Sequence, residues 1–321
     1  MMVATLLLLS GFVILIKGAD FLVSGASSVA RRYGISNLAI GLTVVAFGTS
    51  MPELIVSLLA AINGQSDASF GNVIGSNNFN ILCTLGVAGI IFPLVVQRNT
   101  IKFEVPISIL ATLILFLLVN DRLLWNSGDN LLSRSDSVIL LLCFGGFMLY
   151  VYRTMSRSND LEQGTPAKVY KVSTSIALIT LGLTMLIGGG KLVVDNAIEI
   201  AHHFGLSERL IGLTILAAGT SFPELATSAV AAYRRNTDIA IGNVIGSNIF
   251  NIFIILGITG VVSPIPYGEA LNFDVYVLFA ASFALLIFMF TLGQRKLDRW
   301  EAFMLFAGYI AYTIVLVSLE G

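Results

Sequence analysis

Charge is scarce in this sequence. Lys and Arg number 18 and Asp and Glu 19 in 321 residues, so 12% of the chain is charged, about half the norm for a soluble protein. The net charge is −1, which excludes the basic surface needed to hold nucleic acid. There are two cysteines, Cys83 and Cys143. Both fall in apolar runs, where they are expected to pack as small apolar groups, neither bridged nor bound to a soft metal. The two histidines, His202 and His203, are adjacent and fall in an expected loop outside the spans. No GxSxG and no HExxH occurs, so an intramembrane enzyme would lack a nucleophile and a base.

Apolar residues take the place of charge. They make up 56% of the chain, and the mean hydropathy is +0.89. Runs near 20 residues, enough to cross about 30 Å of hydrocarbon, lie near 3–28, 38–62, 69–94, 102–120, 135–153, 172–197, 209–232, 240–263, 273–293 and 299–319. Ten long runs predict an all-α membrane protein, since outer-membrane barrels use short alternating strands. No positive segment precedes the first run, and it extends past Lys17 and Asp20, so it reads as a span and not as a signal peptide.

The positive-inside rule orients the spans. With the N-terminus outside, the inner loops hold Arg31, Arg32, Arg98, Lys102, Arg153, Arg157, Lys168, Lys171, Arg234, Arg235, Arg295, Lys296 and Arg299, whereas the outer loops hold Arg122, Arg134 and Arg209. Both termini are therefore expected outside. The polar stretch TMSRSNDLEQGTPAKVYK, residues 154–171, is expected inside as a cytoplasmic linker. It separates a first five-helix unit, 1–153, from a second, 172–321.

The two units are copies. Offset by 171 residues, 34–86 falls on 205–257 without a gap, and more than half of the positions are identical. GNVIGSN at 71–77 returns unchanged at 242–248. An odd number of spans per copy predicts that the second enters the membrane upside down. Inverted repeats with polar interruptions in matching spans are the sequence mark of a secondary transporter whose site lies near the midplane. The interruptions fall in spans 2, 3, 7 and 8, which are expected to be broken helices at the core.

The motifs GTSMPEL, 48–54, and GTSFPEL, 219–225, carry the chemistry. Glu53 and Glu224 each lie near the middle of a span, where an ionised carboxylate costs several kcal/mol unless paired or solvated. Thr49 and Ser50 precede Glu53 by four and three residues on one helix face, with Ala46 a turn further back. Thr220, Ser221 and Ala217 repeat this before Glu224. Pro52 and Pro223 remove an N–H and kink the span, with Gly48 and Gly219 easing the bend. In the next span Asn72, Ser76 and Asn80 form a polar stripe, matched by Asn243, Ser247 and Asn251, while Gly71, Gly75, Gly242 and Gly246 permit close helix approach. Two carboxylates with hydroxyl, amide and carbonyl oxygens suit hard cations, and Ca²⁺ or Na⁺ more than Mg²⁺, which keeps its waters. A charge of −2 is balanced by one Ca²⁺ or two Na⁺, so one site that holds either but not both is a basis for exchange.

These motifs resemble the two α-repeats of the Ca²⁺/cation antiporter superfamily, the sodium/calcium exchangers, most closely their prokaryotic ten-span members. The resemblance implies alternating access at a central site in the plasma (inner) membrane of a prokaryote. The transported ions would be Ca²⁺ and Na⁺, with no cofactor and no obligate protein partner beyond the bilayer. It implies that Glu53 and Glu224 are the principal Ca²⁺ ligands, with the carbonyls of Thr49 and Thr220. Ser50, Ser76, Ser221 and Ser247, with the carbonyls of Ala46 and Ala217, would serve Na⁺, and Asn80 and Asn251 would complete the set. Some relatives hold Asp at the second of these positions, so this chain has one titratable group fewer. Spans 1 and 6 would be the moving gate.

Two alternatives follow from the same residues. The carboxylates could share a proton when Ca²⁺ leaves, which would make a H⁺/Ca²⁺ antiporter. A passive Ca²⁺ channel would need no counter-ion, but channels are usually built by symmetry around a pore and not by an inverted repeat within one chain. Elsewhere, Lys17–Asp20 and Lys191–Asp195 are expected as local ion pairs, and Asp67 and Asp238 as helix N-caps.

Overall fold

The computed structural model describes residues 2–125, 129–154, 169–204, 217–291 and 295–320. The first half contains α1 (Met2–Tyr33), α2 (Asn37–Thr49), α3 (Met51–Ile62), α4 (Ser66–Ile91), α5 (Thr100–Val119), α6 (Asp121–Trp125) and α7 (Arg134–Thr154). The second contains α8 (Val172–His203), α9 (Ala217–Gly219), α10 (Phe222–Tyr233), α11 (Thr237–Val262), α12 (Glu269–Phe288) and α13 (Arg299–Glu320). Eight of these helices are long and apolar enough to cross a membrane, and the bent pair α2–α3 makes a ninth span among the described residues. The run expected near 209–232 begins outside the described residues, as do Arg157, Lys168, Arg209 and most of the 154–171 linker.

Burial separates core from periphery. In α4 and α11, 78% and 83% of the apolar window is buried, against 17–39% in the other six spanning helices. The two helices that carry the Asn/Ser stripes are therefore central, and the rest present apolar side chains outward, as lipid-facing helices must. The fifth helix of each half packs on the third of the other. α13 lies on α4, where a Cβ on Gly86 would come 2.9 Å from Phe306 Cβ. Likewise α7 lies on α11, where one on Gly257 would come 2.8 Å from Leu141 Cδ2. Two short antiparallel strand pairs clamp the same crossings, β1 (Leu94–Val95) with β4 (Lys296–Leu297) and β2 (Leu131–Leu132) with β3 (Ile265–Pro266).

The longest contact is between α1 and α8, each 32 residues. Small residues recur every seventh position, Gly11, Gly18 and Gly25 in α1 and Ser175, Gly182 and Gly189 in α8. A Cβ on Gly18 would lie 2.9 Å from the Gly182 carbonyl oxygen, and one on Gly182 would lie 2.7 Å from that of Gly18. Gly11 meets Gly189 and Gly25 meets Ser175, so the numbering runs in opposite directions and the helices are antiparallel. This is small-residue packing, in which backbones meet directly.

Several expectations change. Spans 3 and 8 are continuous helices, not broken ones. They contain no proline, so the N–H ladder persists and the irregularity shrinks to a π-helical turn at Phe79–Thr84 and at Asn251–Leu256. α8 extends through His202 and His203, which therefore lie on a helix and not in a loop. Asp20 pairs with Arg234, across the fold, and not with Lys17. Gln65 and Asn236 stand at the N-cap positions of α4 and α11, one residue before the first helical position, so Asp67 and Asp238 lie inside the first turn. Asp238 instead accepts from Gln97 Nε2 at 2.8 Å.

Candidate functional site

Each motif glutamate sits in the first turn of a helix that restarts after a break. α2 ends at Thr49, α3 begins at Met51, and their axes differ by 46°. Pro52 has no N–H for the Gly48 carbonyl, and as the second residue of α3 it lies where a missing donor costs nothing. Ser50 at the junction has φ −85°, ψ 7°, and its counterpart Ser221 has φ −90°, ψ 3°. The same sequence thus makes the same break twice. Gly48 and Gly219 both serve contact with the long helix α8 rather than the bend. A Cβ on Gly48 would lie 2.5 Å from Leu183 Cδ2, and one on Gly219 would lie 2.5 Å from Val194 Cγ2.

Glu53 and Glu224 are fully buried. Ser50 and Ser221 occupy N-cap positions, yet neither hydroxyl caps its own helix. Ser50 Oγ donates to Glu224 Oε1 at 2.9 Å, and Ser221 Oγ donates to Glu53 Oε1 at 3.1 Å. Each carboxylate is held by the serine of the opposite repeat. Ser247 Oγ also donates to Glu224 Oε1, at 3.4 Å. The positive end of the helix dipole favours a carboxylate in the first turn.

Asn72 and Asn243 are fully used as struts. Asn72 Nδ2 donates to the Glu53 carbonyl at 3.2 Å and to Ser57 Oγ at 2.9 Å, and Asn243 Nδ2 repeats this to the Glu224 carbonyl at 3.2 Å and Ser228 Oγ at 2.9 Å. Their amide oxygens accept from Thr220 and Thr49 of the other repeat, both at 3.1 Å. Each threonine hydroxyl can spend its one proton on that amide, and its oxygen lone pairs and its backbone carbonyl both remain acceptors. The Ala46 carbonyl already accepts from Ser50 N–H at 3.0 Å and Thr49 Oγ1 at 3.3 Å. Ala217 begins α9. Gly41, Gly242 and Gly246 bring α2 against α11, with a Cβ on Gly246 meeting Leu42 O at 2.8 Å. Gly71 and Gly75 have no close neighbour among the described residues.

Five buried oxygens around this centre lack a hydrogen-bond partner among the described residues: Glu53 Oε2, Glu224 Oε2, Ser76 Oγ, Asn80 Oδ1 and Asn251 Oδ1. Buried acceptors are almost always paired, and here the orphans are carboxylate, amide and hydroxyl oxygens, the donor set of Ca²⁺ and Na⁺. The structure therefore brings Glu53, Glu224, Ser50, Ser221 and Ser247 into direct contact, with Ser76, Asn80 and Asn251 on the adjoining stripes. Ser57, Ser228, Asn77 and Asn248 join the network without having been expected as site residues. Their recurrence in both repeats, at 57/228 and 77/248, was the available signal.

A family model described as sodium/calcium exchanger protein matches residues 3–153 and again 174–318. The chain belongs to the sodium/calcium exchanger family. The double match agrees with the two repeats. Sodium/calcium exchanger MaX1 of Methanosarcina acetivorans is 34% identical to this exchanger-family chain, covering 97% of each. Inner membrane protein YrbG of Escherichia coli K12 is 36% identical, over 100% of this chain and 98% of its own. The solved structure of the sodium-calcium exchanger NCX_Mj soaked with zero Na⁺ and Ca²⁺ superposes with a TM-score of 0.81 at 32% identity, covering 99% of both chains. The relatives are exchangers and membrane proteins, so the all-helical, multi-pass architecture and an antiport class of activity are those of the family.

Proposed function

We propose that this chain is a secondary active antiporter that exchanges Na⁺ for Ca²⁺ by alternating access, with ten spans in two inverted five-helix halves. The observation that carries the reading is the pair of buried carboxylates, each with one oxygen held by a serine of the other half and one oxygen unpartnered among the described residues. Two buried charges are costly without a counter-charge. One Ca²⁺ or two Na⁺ supplies it.

Glu53 and Glu224 would bind Ca²⁺ with the carbonyls of Thr49 and Thr220, and Asn80 and Asn251 would contribute amide oxygens. Ser50, Ser76, Ser221 and Ser247 and the Ala46 and Ala217 carbonyls would serve Na⁺. For Ala46 to do so, the Thr49 hydroxyl must give its one proton to Asn243 Oδ1, 3.1 Å away, and not to the Ala46 carbonyl. The antiparallel order along α1 and α8, which are equivalent helices of the two halves, supports the inversion. The same pair is the candidate moving gate. The charge distribution supports both termini outside, and the name of the Escherichia coli relative supports an inner-membrane location.

Reconstitution in liposomes tests the reading by uptake of radioactive Ca²⁺. Uptake that requires internal Na⁺ and disappears in Glu53→Gln is the expected result. Uptake driven by a pH gradient alone would move the coupling ion to H⁺, and uptake with neither gradient would mean a channel.

A further inference from the structure

Where α4 crosses α11, two more asparagines face each other. Asn77 Nδ2 donates to the Asn248 backbone carbonyl at 3.2 Å, and Asn248 Nδ2 donates to the Asn77 backbone carbonyl at 3.3 Å. A carbonyl oxygen only accepts, so both amide nitrogens are committed and neither side chain can turn over. What remains of each is its Oδ1, and that oxygen faces a second asparagine. Asn77 Oδ1 accepts from Asn251 Nδ2 at 2.9 Å, and Asn248 Oδ1 accepts from Asn80 Nδ2 at 3.1 Å. Asn80 and Asn251 must therefore spend their nitrogens here, which leaves their oxygens free. Those oxygens, Asn80 Oδ1 and Asn251 Oδ1, are buried and unpartnered among the described residues. All four side chains are at most 1% exposed.

We infer that Asn77 and Asn248 are positioning residues that fix the amide orientation of Asn251 and Asn80, so that an oxygen, never an N–H, is presented to the transported cation. The backbone carbonyls at the helix crossing set this choice through two successive amides. Without it, an Asn at 80 or 251 would be free to turn a donor toward a cation. The arrangement also accounts for a neutral residue at both positions. An ionised Asp at 251 would oppose Asn77 Oδ1 with a second acceptor, and Asn77 could not turn to answer it. The inference rests on Glu53, Glu224, Asn80 and Asn251 forming the cation site proposed above.

Ca²⁺ affinity of the purified full chain, measured by calorimetry, tests the inference, with thermal unfolding reporting the folded fraction. Asn248→Leu is expected to weaken Ca²⁺ binding by roughly 10- to 100-fold, the usual effect of losing a group that orients a metal ligand. In an Asn80→Ala background the same change is expected to add less than about twofold, because Asn248 acts through Asn80. Wild-type affinity in Asn248→Leu, or multiplying losses in the double variant, would each overturn the inference. Binding calorimetry does not depend on Na⁺ coupling. Na⁺-independent flux with the expected binding pattern intact would sink only the antiport reading.

Discussion

Ser50 and Ser221 are one residue from a helix start and three from a glutamate, a spacing that in a soluble protein makes a capping box. Both hydroxyls instead reach across to the other repeat's carboxylate. Losing a hydrogen bond to a charged group costs about 1.5–3 kcal/mol. Ser50→Ala and Ser221→Ala are therefore each expected to weaken Ca²⁺ binding by about tenfold or more, and similarly, which calorimetry on the two variants would show. A large effect from one and none from the other would break the twofold reading of the site. The residue types were legible in the sequence, because Glu, Ser and Asn recur at matching positions of two apolar runs. Which serine meets which glutamate was not, since that pairing crosses more than 160 positions of chain and depends on how the halves dock. The roles of Asn72 and Asn243 were hidden for the same reason, as one of the three partners of each lies in the other repeat.

The break between α2 and α3 follows from one proline. Pro52→Ala returns an N–H to the Gly48 carbonyl and lets the helix run on. The variant is expected to unfold at the same temperature as the parent, or higher, while Na⁺-driven Ca²⁺ uptake falls at least tenfold, as flux in liposomes would reveal. Unchanged flux would mean that the bend is incidental. A residue such as Pro52 announces its effect in any sequence. The π turns at Phe79–Thr84 and Asn251–Leu256 do not, because one extra residue in a turn is a matter of local packing and has no residue type of its own. Glycines misled for a related reason. Gly48 was expected at a hinge, but what it lacks is a side chain against Leu183, and only the neighbouring helix reveals that. In the α1–α8 seam, Gly18→Leu drives a side chain into the Gly182 carbonyl. Overpacking of this kind costs about 1–3 kcal/mol, so a lower unfolding temperature is expected.

Duplication and the number of long apolar runs were visible from the sequence alone, whereas the exchange of fifth helices between halves came only from the structure. At one end of the fold, one set of contacts has no counterpart in the other half among the described residues. Arg234 pairs with Asp20 and donates to Ser24 Oγ at 2.6 Å, and Asn236 donates to Ser27 Oγ at 3.0 Å. The positions equivalent to Arg234 and Arg235 in the first repeat are Asn63 and Gly64. α1 is thus tied to the core on the side where the basic loops lie. Arg234→Gln should favour inward access, read as faster labelling of an inner-cavity cysteine by an impermeant thiol reagent from that side. Slower labelling would contradict it.

The meshing of α1 with α8 limits how either helix can travel. Contacts recur every seven residues, about 10 Å along a helix, and between them side chains face backbone. A slip shorter than that interval would push side chains into carbonyls. Any travel of one helix would therefore carry the other with it, as one stiff bar against the remaining helices. A covalent staple from α1 to α8 should leave turnover intact, and one from α1 to α11 should arrest it.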